Sequence, residues 1–387
     1  MKILAISPRI PEKGKKGDQV LSFHRLSYLT RNHKIKLICF GDFKKDLAAK
    51  DKLESLGILV ELISLNKIWA GLNLLRSAFD FANPFQCAFY QSIDFQKTVR
   101  IALADFKPDS IYAVTIRCLG NLGEYNGPLY VDLVDSMALN FSRRASMAKG
   151  LKRFLLNLEF ERVKEYEQKV AQRANHSFLV STIDQKVIGS DKVSVIPLGI
   201  DEREFFKNAD GLKDPVVVFT GNMNYKPNID AVLWFYHHCW DKLRLASPDV
   251  RLVIAGSNPT SDITALQSDT AVTVTGRVQS LASVINTARV SIAPMQSGSG
   301  MQFKILEAMA CGVPVVVSTL GLGDIAAEIN KDFLLADTPD SFVQAILSLL
   351  QSEELRVKIG NAGWQFVKQH HTWDALNADF EESITSL

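Results

Sequence analysis

Residues 298–318 read Gly298-Ser299-Gly300-Met301-Gln302-Phe303-Lys304-Ile305-Leu306-Glu307-Ala308-Met309-Ala310-Cys311-Gly312-Val313-Pro314-Val315-Val316-Val317-Ser318. An apolar run at 288–295 precedes this stretch and predicts a buried strand. The glycines then predict a tight turn, and a helix begins near Phe303. Gly312 ends that helix, and the apolar run 313–317 forms the next buried strand. A glycine-rich turn feeding a helix leaves unpaired N–H groups and the positive end of the helix dipole pointing outward, a seat for phosphate. Glu307 lies in the early turns, and helical side chains lean toward the amino end. Its carboxylate is therefore placed to accept hydrogen bonds from hydroxyls beside a bound phosphate. Phosphate on amides with vicinal hydroxyls on a carboxylate describes a nucleotide diphosphate, so the stretch is read as a nucleotide-sugar site.

The rest of the chain sets bounds on that reading. Its 387 residues suffice for two or three domains. Hydrophobic residues make up 47% and charged residues 22%, as in a globular protein with a substantial core. A net charge of +2 without an arginine-rich tract or zinc-finger spacing gives no sign of nucleic acid as partner. Cys39, Cys87, Cys118, Cys239 and Cys311 are odd in number and scattered, which suits reduced thiols and a cytoplasmic location. The opening Met1-Lys2-Ile3-Leu4-Ala5-Ile6-Ser7-Pro8 is too short in its apolar run for a leader and reads as a first strand. No run approaches the roughly 20 apolar residues of a membrane span.

Short apolar runs alternate with longer amphipathic ones, predicting βα units around parallel sheets. Strands are expected at 2–7, 34–40, 58–62, 110–114, 129–134, 177–181 and 193–197, then at 216–220, 251–255, 272–274, 288–295 and 313–317. Helices are expected at 18–30, 152–173, 341–350, 353–370 and 374–386, among others. Polar, proline-bounded sequence between Pro197 and Pro215 marks the boundary between two halves. The expected architecture is α/β, with a Rossmann-like domain over 1–200, a second over 201–370, and a terminal helix over 371–387. Open α/β sheets bind ligands at the carboxyl ends of their strands.

The motif Gly-Ser-Gly-x-x-x-Lys-Ile-Leu-Glu-Ala-Met-Ala-x-Gly-x-Pro-Val-Val resembles the nucleotide-binding motif of the family 4 (group 1) glycosyltransferases, retaining enzymes of GT-B fold. Further segments extend the resemblance over most of the chain: Phe219-Thr220-Gly221-Asn222-Met223-Asn224-Tyr225-Lys226-Pro227-Asn228, Leu179-Val180-Ser181-Thr182-Ile183-Asp184, Val195-Ile196-Pro197-Leu198-Gly199-Ile200-Asp201, Ala255-Gly256 and Thr275-Gly276-Arg277-Val278. The resemblance implies two domains facing a cleft, the last helix crossing back to the first domain, and transfer of a sugar from a UDP- or GDP-linked donor to a glycan or lipid-linked acceptor. It implies no further cofactor and no metal.

Residue by residue, Glu307 matches the ribose-binding glutamate, and the amides of Gly300, Met301 and Gln302 match the diphosphate cradle. Ser299, Phe303 and Lys304 belong to the same turn and helix start, and Gly221 and Asn222 to the loop after the second half's first strand. Lys226 stands where many members carry a phosphate-binding lysine, or is a solvated loop lysine. Arg277 lies at a strand end, where it serves the nucleotide, the phosphates or neither. Two departures are visible. Ser299 occupies the position of a first glutamate that usually contacts the donor sugar, and Asn222 stands where some relatives place an arginine. Arg277 or Lys304 then has to supply positive charge.

In the first half, 11–18 resembles the family's glycine-rich loop on the acceptor side, with Gly17 and Asp18 opening a helix and Asp18 expected as its N-cap. His24 on that helix is either an acceptor contact or structural. Val131-Asp132-Leu133-Val134-Asp135-Ser136 is expected to set two carboxylates at a strand end facing the cleft. Asp135 there orients the acceptor hydroxyl, or caps the next helix. The region 62–90 is rich in apolar residues, and Arg143, Arg144, Lys149, Lys152 and Arg153 adjoin Leu151, Phe154, Leu155 and Leu156. Peripheral contact with the inner face of the cytoplasmic membrane and ordinary core packing both fit that pattern. Two rival functions remain open: a GT-B sugar-nucleotide epimerase and a non-catalytic sugar-nucleotide or glycan-binding module. A Rossmann dehydrogenase is disfavoured because Pro8, Arg9 and Pro11 fill one candidate dinucleotide turn and Asn222, Met223 and Asn224 follow Gly221 in the other.

Overall fold

The structure is a computed structural model that describes residues 1–13, 15, 17–80, 82–146, 148–208, 214–297 and 302–385. It divides into two compact units, residues 1–197 with 376–387 and residues 198–375. The division falls three residues before position 200, and the return falls at Leu376 rather than 371.

Unit 1 holds a sheet of seven parallel strands in the order β3-β2-β1-β4-β5-β6-β7. They are β1 Lys2–Ser7, β2 Lys34–Phe40, β3 Leu59–Ile63, β4 Ser110–Val114, β5 Leu129–Val134, β6 His176–Leu179 and β7 Val193–Val195. β1, β4 and β5 are buried on both faces, which is why their sequences run apolar without alternating. Unit 2 holds six parallel strands in the order β10-β9-β8-β11-β12-β13. These are β8 Val216–Thr220, β9 Arg251–Ala255, β10 Val272–Gly276, β11 Val290–Ala293, β12 Val315–Val317 and β13 Leu334–Leu335. The apolar runs 288–295 and 313–317 shorten to β11 and β12, although the Arg289 amide still donates to the Val216 carbonyl and the Pro314 carbonyl accepts from the Ser291 amide. In both sheets the order reverses beside the first strand of the unit, the topological switch point where open α/β sheets bind ligands.

The terminal helix Trp373–Thr385 serves unit 1 from Leu376 onward. Leu376, Phe380 and Ile384 join the core beside β1, β2 and β4. The Phe380 ring lies 5.3 Å from Tyr112 and 4.8 Å from Phe178. Trp373 itself stays with unit 2, where a Cβ on Gly199 would come within 2.7 Å of its ring. The two strands of chain that leave unit 2 run side by side, with the Ile200 amide donating to the His371 carbonyl at 2.7 Å. All five cysteines are buried and none forms a disulfide. Among the described residues, no helix is long and apolar enough to cross a membrane.

Unit 1 also buries charge. Arg25, on the helix Gly17–Leu29, and Asp132 of β5 are fully buried and form an ion pair. Tyr112 donates to the same carboxylate at 2.8 Å, and the guanidinium sits 4.4 Å from the Phe380 ring. This corrects the expectation that Asp132 faces a ligand: its partner lies 107 residues away and holds it in the core. Burial raises the Asp132 pKa against the opposing pull of Arg25, Tyr112 and the Val134 amide. Removing one partner of a buried pair strands the other charge, at a cost of about 3–5 kcal/mol. Asp132→Ala should therefore destabilise unit 1 by about that amount in urea unfolding, and a loss below about 1 kcal/mol would show that the pair contributes no more than a surface ion pair.

Candidate functional site

In unit 2 the helix Phe303–Ala310, the motif helix, packs on β11 and β12. Backbone contact draws the loops after β8 and β9 together. The Gly221 amide donates to the Ala255 carbonyl at 3.0 Å and the Met223 amide to the Ser257 carbonyl at 2.8 Å. A Cβ on Gly256 would lie 1.7 Å from the Gly221 carbonyl oxygen, so only glycine fits there. Gly312 ends the motif helix at φ +66°, its amide bonded to the Met309 carbonyl at 2.8 Å, as the sequence predicts. Gly298, Ser299, Gly300 and Met301 lie outside the described residues, and so does the cradle expected from their amides.

Lys304 is buried and its ammonium reaches back toward the strand ends. It donates to Asn228 Oδ1 at 2.8 Å and Gln302 Oε1 at 3.1 Å, lies 3.7 Å from Met295 Sδ, and sits 5.1 Å from the Phe219 ring centroid. All of these partners are neutral. Burial lowers its pKa to about 8, with Glu307 pulling the other way. Glu307 is one turn further along the same helix. Burial raises its pKa to about 7; Lys304 opposes that rise and Glu204 adds to it. Among the described residues no hydrogen-bond donor reaches its carboxylate. The tip of the motif helix thus holds one cation and one carboxylate, both short of partners of the kind a diphosphate and a ribose would provide.

Asn228 and Glu204 take part in this site without having been marked in the sequence. Asn228 is buried and links two loops, donating to the Asn222 carbonyl at 3.0 Å while accepting from Lys304. Its only signal was its place two residues after Lys226, at the start of the helix Lys226–Phe235. Lys226 itself is exposed and paired with Asp230 on that helix, so it stands as a solvated lysine in this structure. Arg277 is exposed immediately after β10, at the strand end where the sequence put it. The Asn222 side chain is turned to its own loop, accepting from the Asn224 amide at 3.1 Å. Phe303 is half-buried against the core beneath the motif helix.

The unit 1 candidates fall in two places. Gly17 opens the helix Gly17–Leu29, and Asp18 is its second residue rather than its N-cap. Both Asp18 carboxylate oxygens accept from Arg9 Nη1, at 3.0 and 2.8 Å, so the side chain fastens the β1 loop to the helix. His24 is half-buried on that helix, with its ring edge-on to Phe23 and its carbonyl accepting from Asn377 at 3.3 Å.

Asp135 is exposed past the end of β5, where it accepts from Asn140 at 2.8 Å. A register shift between Asp132 and Val134 and a φ of +68° at Val134 turn the chain outward there. A β-branched residue in that region is strained. The strain is held by Asp132 Oδ1, which accepts from the Val134 amide at 3.2 Å. Below the turn, buried Glu167 accepts from Ser136 Oγ at 2.9 Å and the Met137 amide at 2.7 Å. Ser136 Oγ accepts from the Leu139 amide at 3.1 Å, so Ser136 and Glu167 together cap the next helix and Asp135 is left facing solvent. Burial raises the Glu167 pKa to about 7, with Asp135 adding to the rise.

Residues 214–352 match a family model described as glycosyl transferases group 1. A phosphatidyl-myo-inositol mannosyltransferase of Mycolicibacterium smegmatis is 28% identical over 204 residues, covering 50% of this chain and 52% of that protein. The chain thus spans about half the length of the curated relatives it matches. Among solved structures, HepE of Anabaena in complex with UDP superposes with a TM-score of 0.69 over all of both chains at 17% identity. A sucrose-phosphate synthase of Thermosynechococcus elongatus gives 0.68 over 99% of this chain and 98% of its own, at 14% identity. At those identities the structures speak for the fold, two Rossmann-like parallel-sheet domains of GT-B type. Motif, fold and family model agree on unit 2, where residues 214–352 match the group 1 glycosyltransferases.

Proposed function

We propose that the protein is a retaining glycosyltransferase that moves a sugar from a nucleotide diphosphate donor to a hydroxyl of a polysaccharide, glycolipid or lipid-linked acceptor. The observation that carries this reading is the pairing of Lys304 with Glu307 at the tip of the motif helix. Ribose hydroxyls would give the Glu307 carboxylate the donors it lacks, and diphosphate would give the buried ammonium a counter-charge. Two names support the reading: HepE was also crystallised with UDP-glucose, and the mycobacterial relative's name places a mannosyl group on a phosphoinositide.

In this mechanism the acceptor hydroxyl attacks the anomeric carbon on the face from which the diphosphate departs. The departing phosphate oxygen takes the hydroxyl proton. No strong protein base is then required, and the largest demand is stabilisation of the leaving charge. Lys304 meets it with an ammonium already desolvated, and Arg277 is a candidate for a second cation. Asp135 orients the acceptor hydroxyl and balances positive charge developing on the sugar.

Thermal-shift titration with UDP, GDP and ADP should single out one nucleotide family. A ligand at one hundred times its Kd stabilises by about 2.7 kcal/mol. Glu307→Ala should remove most of that shift, whereas an unchanged shift would separate Glu307 from the nucleotide. Transfer to an acceptor separates the proposal from its rivals, since an epimerase alters the donor with no acceptor present.

The same carboxylate has a stability signature. Its folded pKa is raised, so its contribution is fully present below about 4.5, the unfolded value, and is lost as pH rises through about 7. Glu307→Gln should accordingly make the ligand-free protein more stable at pH 8, by on the order of 1–3 kcal/mol, with the gain gone near pH 4.5. A loss of stability at pH 8 would contradict the burial assigned to this group. Asp135→Asn should reduce transfer by on the order of 100-fold while leaving nucleotide affinity intact; equal losses in both would place Asp135 in the fold rather than the chemistry.

A further inference from the structure

The helix Lys67–Ser77 of unit 1 turns its apolar stripe to solvent. Ile68, Leu72 and Leu75 share one face at spacings of four and three residues, and Phe79 follows just past the helix end. Ile68 is 77% exposed, Leu75 67% and Phe79 88%. A second exposed apolar group opens the long helix Gly150–Arg173, where Leu151 is 73% and Phe154 64% exposed. These side chains are therefore not the core residues that ordinary packing would make them.

The long helix ties the two groups together. Further along the long helix, Arg162 donates to the carbonyls of Ser77 and Asp80 at 2.8 and 2.7 Å, and Glu159 accepts from the Phe85 amide at 2.8 Å. The segment that carries Phe79 is thus laid along the long helix. Leu151 and Leu155 sit at four-residue spacing from Glu159 on the same face, so that face runs out of cover toward its amino end.

Cations predominate on this surface, with Asp80 exposed beside Phe79 and Asp94 exposed near Trp69 and Arg76. Residues 62–79 contain Lys67 and Arg76 and no acid, and residues 136–158 contain five Lys and Arg and no acid. Lys67, Arg76, Arg144, Lys149, Lys152 and Arg153 are exposed. The nearest acids along the chain at the 79 and 158 ends are Asp80 and Glu159, and Glu159 is buried under the Phe85 amide. Exposed aliphatic and aromatic side chains among predominating cations match an anionic lipid surface. The hydrophobic groups enter the acyl boundary and the cations stay among the headgroups. A second copy of the same face would instead bring like charges together.

We propose that this face of unit 1, the helix Lys67–Ser77 with the opening turns of Gly150–Arg173, docks on an anionic phospholipid bilayer. The inference is independent of the proposed transfer reaction, because it concerns a surface of unit 1 and is read without activity. The test is sedimentation of the full chain with vesicles of phosphatidylglycerol and phosphatidylcholine, against vesicles of phosphatidylcholine alone. Binding should require phosphatidylglycerol and weaken with salt. Phe79→Ser with Leu75→Ser should lower the partition coefficient roughly tenfold or more. Lys149→Glu, Lys152→Glu and Arg153→Glu together should lower it roughly a hundredfold. All five positions are exposed, so the melting temperature and the nucleotide-induced shift should stay at their parental values. Failure to bind anionic vesicles, binding that neither set of changes weakens, or a dimer in solution that the Phe79 and Leu75 changes dissociate would each overturn the proposal.

Discussion

A buried ammonium held, among the described residues, by neutral acceptors is costly, and unit 2 contains one. Lys304 gives up bulk water for an asparagine, a glutamine, a thioether and a ring face. Its nearest compensation is Glu307, itself desolvated. A core selected for stability alone would replace such a lysine with an apolar side chain. The arrangement becomes economical when an anion arrives, because a doubly charged phosphate group supplies the missing partner inside a medium that magnifies its attraction. The rest of unit 2 serves this placement. The Gly221 and Gly256 backbones touch, Asn228 ties their loop to the lysine, and Gly312 stops the motif helix so that β12 can follow.

Unit 1 applies the same economy differently. Its buried ion pair joins Arg25 to Asp132, with Tyr112 donating to the same carboxylate beside the terminal helix, while Arg25 Nε and Nη2 find no hydrogen-bond partner among the described residues. The product is a strained turn at Val134 that holds Asp135 in solvent. One unit keeps a charge short of a partner where a ligand is proposed, and the other uses a paired charge to fix the turn that leaves Asp135 exposed.

Most of the sheet was legible from sequence because its strands are buried on both faces and read as unbroken apolar runs. β1, β2, β4, β5, β8 and β9 fall at the expected residues. β13 was missed, since two residues carry no period. Glu307 and Lys304 were legible because a local motif fixes both on one short helix. Asn228 and Glu204 were not, because their roles come from a meeting of distant segments. Asp132 was misread for the same reason: nothing near it in sequence announces Arg25. Asp18 looked like a cap because its type and place suit one, but Arg9 claims its carboxylate.

The account stands or falls on what occupies the amino end of the helix Phe303–Ala310. A crystal structure of the protein with its preferred nucleotide sugar tests this most directly. The diphosphate should lie at that helix tip within ion-pair distance of Lys304, with both ribose hydroxyls hydrogen-bonded to Glu307. Clear density for the nucleotide at any other part of the molecule, with Lys304 and Glu307 untouched, would contradict it.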